Sequence, residues 1–212
     1  MSLSKHELFQ QMLEQINLHH QPEYLPYFEN GEIEQVIVHK KSKLWSFQFV
    51  FDNVLPFEVF TALMNHMKIK FQSIATIDFQ IKTRKPILTN ESILDYWETV
   101  VQRSNISSPL VLSLFAKHTP VVLDNKVVIS VENEITKNHL ADNYLSIIQQ
   151  NYLVLGFPSF QITIEVDEAA SEARMAQYLA RKQEQDEMLV KQAEEAIKQN
   201  QQDRQRSDGS QS

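Results

Sequence analysis

Cysteine is missing altogether. Its absence excludes disulfides, thiolate nucleophiles and every cysteine-ligated zinc or iron–sulfur site, so stability must come from packing. Glycine is nearly missing too, with Gly31, Gly156 and Gly209 the only three in 212 residues. Phosphate loops and dinucleotide fingerprints need glycines at close spacing, which excludes nucleotide binding by those routes. No cofactor and no small-molecule substrate is expected. No apolar run approaches the roughly 20 residues that span a bilayer. The start, MSLSKHELF, has no apolar signal-peptide core, and Glu7 and Glu14 argue against a transit peptide. The expected location is the cytoplasm, without membrane contact. Positive charge is also scarce, 20 Lys and Arg against 27 Asp and Glu, for a net charge of -7. That balance argues against a dedicated nucleic-acid binder, because neutralising phosphates supplies most non-specific affinity for DNA.

What is present is alternation and amphipathic periodicity. Val127, Ile129 and Val131 alternate as in a half-buried strand, and Ile162, Ile164 and Val166 do the same. Between these runs the spacing predicts one helix, capped by Asn133, with Leu140, Tyr144 and Ile148 on one face and Gly156 where left-handed backbone is wanted.

Earlier in the chain, Ser4 and Glu7 stand at capping-box spacing before a helix reaching Leu18, with Phe9, Met12, Leu13 and Ile16 on one face. Pro22 and Pro26 mark HHQPEYLPYFENG as a connector ending in a turn. Strands are predicted over Glu32 to His39 and Leu44 to Phe51, with Trp45, Phe47, Phe49 and Phe51 on a buried face. Asp52 or Asn53 is expected to cap a helix with Pro56 in its first turn and Phe57, Phe60, Met64, Met67 and Phe71 along one side. A strand over Thr76 to Lys82 follows. Thr89 or Asn90 then caps a helix carrying Ile93, Tyr96, Trp97, Val100 and Val101, and a shorter helix begins at Pro109 with Leu110, Leu114 and Phe115. Val121 to Leu123 and the Asp124-Asn125 turn lead back to the strand at Val127.

The two halves share an order of helical lead-in, hairpin, capped helix and closing strand. The expected fold class is α+β, with two tandem αββαβ-type modules over residues 1–85 and 86–166 and a charged helical linker over 167–212. Ala, Glu, Lys and Gln dominate the linker, but its apolar positions sustain no heptad seam. Its end, QQDRQRSDGSQS, is expected to be disordered.

Chemistry is thinly signposted. The seven histidines show no metal-ligand spacing, and His19-His20 reads as a solvated loop. No metal site and no catalytic residue is assigned; Glu32 and Glu34 share a strand face, which a surface strand often does. The most suggestive polar feature is the cluster Lys40, Lys41 and Lys43 on the first hairpin loop. The stretch from Asn17 to Lys85 carries eight basic and seven acidic residues, so the excess negative charge lies in the second module and tail. The lysines read either as solvated surface or as a contact to nucleic acid or an acidic partner. Trp97, beside Tyr96, reads either as a core residue or as a partly exposed partner anchor.

Two resemblances add to this. VVISVENEITKNHLADNYLSIIQQNYLVLGF and the lead-in ILDYWETVV resemble the N-terminal domain of the bacterial replication initiator protein, a KH-like module. More specifically, residues 1–166, above all NGEIEQVIVHKKSKLWSF and LPFEVF, resemble the N-terminal region of the PolC-type DNA polymerase III α subunit. The resemblance implies a piece of a replicative DNA polymerase with 3'-5' exonuclease, although none of that family's clustered metal-binding carboxylates maps onto this chain. It implies a protein-interaction role, with the clamp-loader τ subunit as the expected replisome partner. An auxiliary DNA contact through the Lys40, Lys41 and Lys43 loop is the alternative.

Overall fold

A computed structural model describes residues 3–123 and 126–208. The chain divides into two units, Met1–Glu165 and Val166–Ser212. The first is a mixed α+β body holding two three-stranded sheets, with the orders β1-β2-β3 and β4-β5-β6.

The first sheet grows from a hairpin. β1 (Glu32–His39) pairs antiparallel with β2 (Leu44–Phe51), and β2 pairs parallel with β3 (Thr76–Thr83). The register sets Phe47 beside Phe79 and Phe49 beside Ile81, which gathers the apolar positions of both strands on one face. Two helices cover that face. α1 (Lys5–Gln15) opens with a complete capping box, Ser4 accepting from the Glu7 N–H while the Glu7 carboxylate accepts from the Ser4 N–H, and it buries Phe9, Met12 and Leu13. α3 (Phe57–Phe71) buries Val59, Phe60, Leu63 and Met67, leaving Phe57, Met64 and Phe71 only partly covered.

Two expectations are corrected in this half. The proline-rich connector contains a short helix, α2 (Leu25–Phe28), because Pro26 sits in its first turn, where its missing N–H has no role. Neither Asp52 nor Asn53 caps α3. Its N-cap is Pro56, without a side-chain hydrogen bond, because Val54 and Leu55 enter the core between Asn53 and the helix. Asn53 Oδ1 instead accepts from the N–H groups of Val54 (2.8 Å) and Ile87 (2.7 Å).

In the second half, α4 (Asn90–Arg103), capped by Thr89, buries Ile93, Tyr96, Trp97, Val100 and Val101. α5 (Pro109–Lys117) is capped by Ser108 and turns Val111 and Phe115 inward, while Leu110 is 71% exposed. β4 (Val121–Leu123) pairs antiparallel with β5 (Lys126–Val131); the turn expected at Asp124-Asn125 lies outside the described residues. The single helix expected next is two: α6 (Glu134–Asn143), capped by Asn133, and α7 (Leu145–Val154). The break falls at Tyr144 (φ -126°, ψ -23°), whose ring packs edge-on against Phe115 and His139, and it redirects the chain so that Ile148 and Tyr152 become fully buried. β6 (Gln161–Val166) completes the second sheet.

The halves share one core. The Tyr96 hydroxyl donates to the Leu55 carbonyl at 2.8 Å, and the Tyr152 hydroxyl donates to the Ile93 carbonyl at 2.7 Å. Burial pushes both phenol pKa values above the ordinary tyrosine range, with Asp95 adding to the shift at Tyr96. Because the folded pKa lies above the unfolded one, each phenol's contribution is full below a pH of about 10 and is lost as pH climbs above it. Tyr96→Phe is expected to cost about 1–3 kcal/mol at neutral pH, since it strands the buried Leu55 carbonyl, and Tyr152→Phe about 1 kcal/mol, since Ile93 lies inside α4 and its carbonyl keeps a helical partner. Urea unfolding across pH 7–11 checks this: the double variant should also lose stability less steeply above a pH of about 10.

The second unit is α8 (Glu168–Asp208), a charged helix of 41 residues. Its helix runs into the stretch QQDRQRSDGSQS as far as Asp208, where Gln and Arg are good helix formers and no glycine intervenes before Gly209. Gly209 to Ser212 lie outside the described residues. No helix among them is long and apolar enough to cross a membrane.

Candidate interaction surface

The β1–β2 hairpin carries its lysines on a four-residue turn, Lys40 to Lys43. Lys43 takes left-handed backbone (φ 50°), and its carbonyl accepts the Thr76 N–H at 2.8 Å, which ties the turn to the start of β3. Ser42 Oγ donates to the His39 carbonyl at 3.4 Å. Lys40, Lys41 and Lys43 are all exposed, and none is paired with a carboxylate among the described residues. Lys5, Lys68, Lys70 and Lys85 likewise have no carboxylate partner among the described residues, whereas three other cations are paired. Lys82 Nζ lies 2.6 Å from Glu34, Arg84 bridges Glu32 (2.9 Å) and Asp52 (3.0 Å), and Arg103 reaches Asp78 at 3.2 Å. Glu32 and Glu34 are thus partners of basic groups on β3 and just beyond it. The Lys82 ammonium lowers the Glu34 pKa, and hydrogen bonds from the Asn30 amide and then the Arg84 guanidinium lower that of Asp52. The uncompensated positive charge of the hairpin therefore concentrates at the turn.

Beside the turn runs the outer edge of β1. Register places Val36 opposite Phe47 and Val38 opposite Trp45, on the core-facing side of the sheet, yet Val36 is 39% and Val38 46% exposed. Ile33 packs on the core at the other end of the strand. Their exposure is not legible in the sequence, because coverage depends on where α1 and α3 lie rather than on β1 itself.

Trp97 is placed elsewhere. It is 6% exposed, its indole N–H donates to the Phe115 carbonyl at 3.3 Å, and its ring meets Phe115 edge-on at 5.7 Å. It joins α4 to α5 and stands apart from the lysine turn. Other polar groups are engaged locally: His6 Nδ1 contacts the Gly31 carbonyl and His66 Nδ1 the Ile16 carbonyl, both at 2.8 Å. The His19 and His20 rings lie against each other, tilted by 43°, with centroids 3.6 Å apart. An open cleft lies between the starts of α3 and α4, and Glu58, Glu91 and Asp95 line it without a basic residue. Among the described residues no group of three His, Asp or Glu is positioned to hold a metal ion.

Fold and surface together define a mixed α+β region in which an unpaired basic turn adjoins a half-exposed apolar strand. Two family models match it: "DNA polymerase III polC-type N-terminus I" over residues 8–81 and "DNA polymerase III polC-type N-terminus II" over residues 95–210. The chain belongs to the PolC-type DNA polymerase III family, of which it is N-terminal region. Among curated relatives, a DNA polymerase III PolC-type of Latilactobacillus sakei subsp. sakei is 44% identical over 172 residues, 81% of this chain and 12% of that one. The Pediococcus pentosaceus protein of that name is 35% identical, covering 93% of this chain and 14% of the relative. That of Bacillus subtilis is 31% identical, covering 74% and 11%. This chain therefore spans only 11–14% of the length of these relatives. A solved structure of CdsD, a structural protein of the type III secretion system of Chlamydia trachomatis, matches at 13% identity and a TM-score of 0.23, too low to relate the folds.

Proposed function

We propose that this chain is a non-catalytic docking region of a replicative DNA polymerase, holding the enzyme to other replisome proteins in the cytoplasm, the clamp-loader τ subunit among them. The observation that carries the reading is the pairing of a match to PolC N-terminal regions with an uncompensated basic turn beside exposed Val36 and Val38. Polymerase and exonuclease chemistry belong, on this reading, to parts of the relatives beyond the matched stretch. Two further features support two KH-like modules over 1–85 and 86–166: each sheet begins with a hairpin and is completed by a strand that follows a helical segment, and the family models divide between residues 81 and 95. Surface plasmon resonance of the whole chain against purified τ tests the role. Saturable binding supports it, and no binding to τ or to any other purified replisome protein leaves the region a spacer.

The alternative is an auxiliary DNA contact by Lys40, Lys41 and Lys43, favoured by their lack of carboxylate partners among the described residues. Three phosphate contacts to duplex DNA predict a salt slope near -2.7, so affinity should drop about 40-fold between 50 and 200 mM salt. Fluorescence anisotropy with a labelled duplex measures this, and the triple change K40A/K41A/K43A should abolish it. Absence of DNA binding at low salt removes this alternative.

A further inference from the structure

Resting on the docking reading, we propose that the free edge of β1 accepts an extended acidic peptide of a partner protein as a fourth strand of the first sheet. Lys40, Lys41 and Lys43 then hold carboxylates at one end of that added strand.

The two edges of this sheet are not alike. On the β3 side, Ile81 forms a parallel bridge with Leu155, Arg103 Nη2 donates to the Phe79 carbonyl at 3.3 Å, and Thr83 Oγ1 donates to the Gly156 carbonyl at 2.6 Å. That edge is closed by the molecule's own chain. On the β1 side, no backbone hydrogen bond outside the hairpin's own pairing reaches residues 32–42 among the described residues. An edge strand leaves alternate N–H and C=O groups facing outward, and such a row templates pairing with another chain. Proteins blunt free edges with bulges and charge, and here the bulge between Ile33 and Gln35, with the Glu34–Lys82 ion pair, guards only the first half of the strand. Gln35 to His39 keep regular register with Gln48 to Leu44, leaving a regular, unguarded stretch.

Side chains specify the guest. Val36 and Val38 are exposed on one face of β1 and Ile37 on the other, so both faces of an added strand would meet apolar contact. Beyond His39 come three lysines without carboxylate partners among the described residues, the complement of an acidic segment. Nucleic acid presents no amide ladder to satisfy β1's backbone. A second copy of β1, laid antiparallel, would bring Glu32 and Glu34 to these lysines, but Arg84 and Lys82 already hold those carboxylates.

The test titrates the intact chain with a fluorescein-labelled peptide of about ten alternating valine and glutamate residues, the length of an ordinary strand. Anisotropy reports binding and amide hydrogen exchange reports its location. The expected result is saturable binding with exchange across residues 35–39 slowed at least about ten-fold. A peptide N-methylated along its pairing edge should not bind. K40E/K41E/K43E, shown folded by circular dichroism, should weaken binding by about ten-fold or more and favour a lysine analogue of the peptide. Unchanged exchange at 35–39, undiminished affinity in the charge-reversed variant, or equal protection by oligothymidine overturns the proposal. So does self-association that already protects 35–39 and is lost in that variant. If purified τ binds the wild type and the charge-reversed variant equally, docking stands and the edge-strand mode falls. If no replisome protein binds but the acidic peptide still protects 35–39, docking falls and the edge chemistry remains.

Discussion

Replacing Phe49 by alanine is expected to lower the unfolding free energy by about 3–5 kcal/mol, the cost of emptying a large buried aromatic site. Phe49 is fully buried on the central strand of the first sheet. Its ring stands 5.9 Å from each of Phe9, Phe47, Phe51 and Phe79, meeting Phe9 edge-on and the other three in stacked geometry. Because α1, β2 and β3 all supply neighbours, none can move into the space without losing its own packing. Urea denaturation followed by far-UV circular dichroism measures the loss, and the thermal midpoint should fall by roughly 10 °C. Phe57→Ala is the comparison. Phe57 is only partly buried, so its loss should be clearly smaller.

Gly156→Ala is the second large effect, expected at roughly 2–5 kcal/mol. Gly156 has φ +90°, a left-handed conformation that costs a side-chain-bearing residue roughly 1–2 kcal/mol. An added Cβ would also stand 2.9 Å from Ile81 Cγ2 and 2.9 Å from Thr83 Cγ2. Both neighbours belong to β3, so the strain falls on the junction where Thr83 Oγ1 meets the Gly156 carbonyl. Denaturation of G156A beside T83V separates the contributions: T83V alone removes one partly buried hydrogen bond and should cost about 1 kcal/mol. A neutral G156A would mean that this junction relaxes without cost.

Helix starts were readable because caps are local. Ser4, Thr89 and Asn133 each accept the N–H three residues on, a geometry set by the residues at that point. The cap expected before α3 failed for a non-local reason: Asn53 spends its side-chain oxygen on Val54 and on Ile87, which is far along the chain. The break at Tyr144 was hidden in the same way. Leu140, Tyr144 and Ile148 keep helical spacing in sequence, and the departure appears only where Phe115 meets the tyrosine ring. The candidate surface divides likewise. The lysine turn was visible as a charge cluster, whereas the lack of partners around it depends on where Glu32 and Glu34 find Arg84 and Lys82.

By itself the sequence determined the strands of both hairpins, the amphipathic helices, the scarcity of reactive groups and the resemblance to PolC N-terminal regions, because periodicity and capping act over a few residues. Tertiary structure alone decided that Trp97 lies inside, that Val36 and Val38 remain half exposed, and that β3 is closed while β1 is open. The physical reason is one of range. Burial and edge status are set by segments that arrive from elsewhere in the chain, here Phe115 against Trp97 and Leu155 against Ile81, and no local pattern encodes which segment arrives.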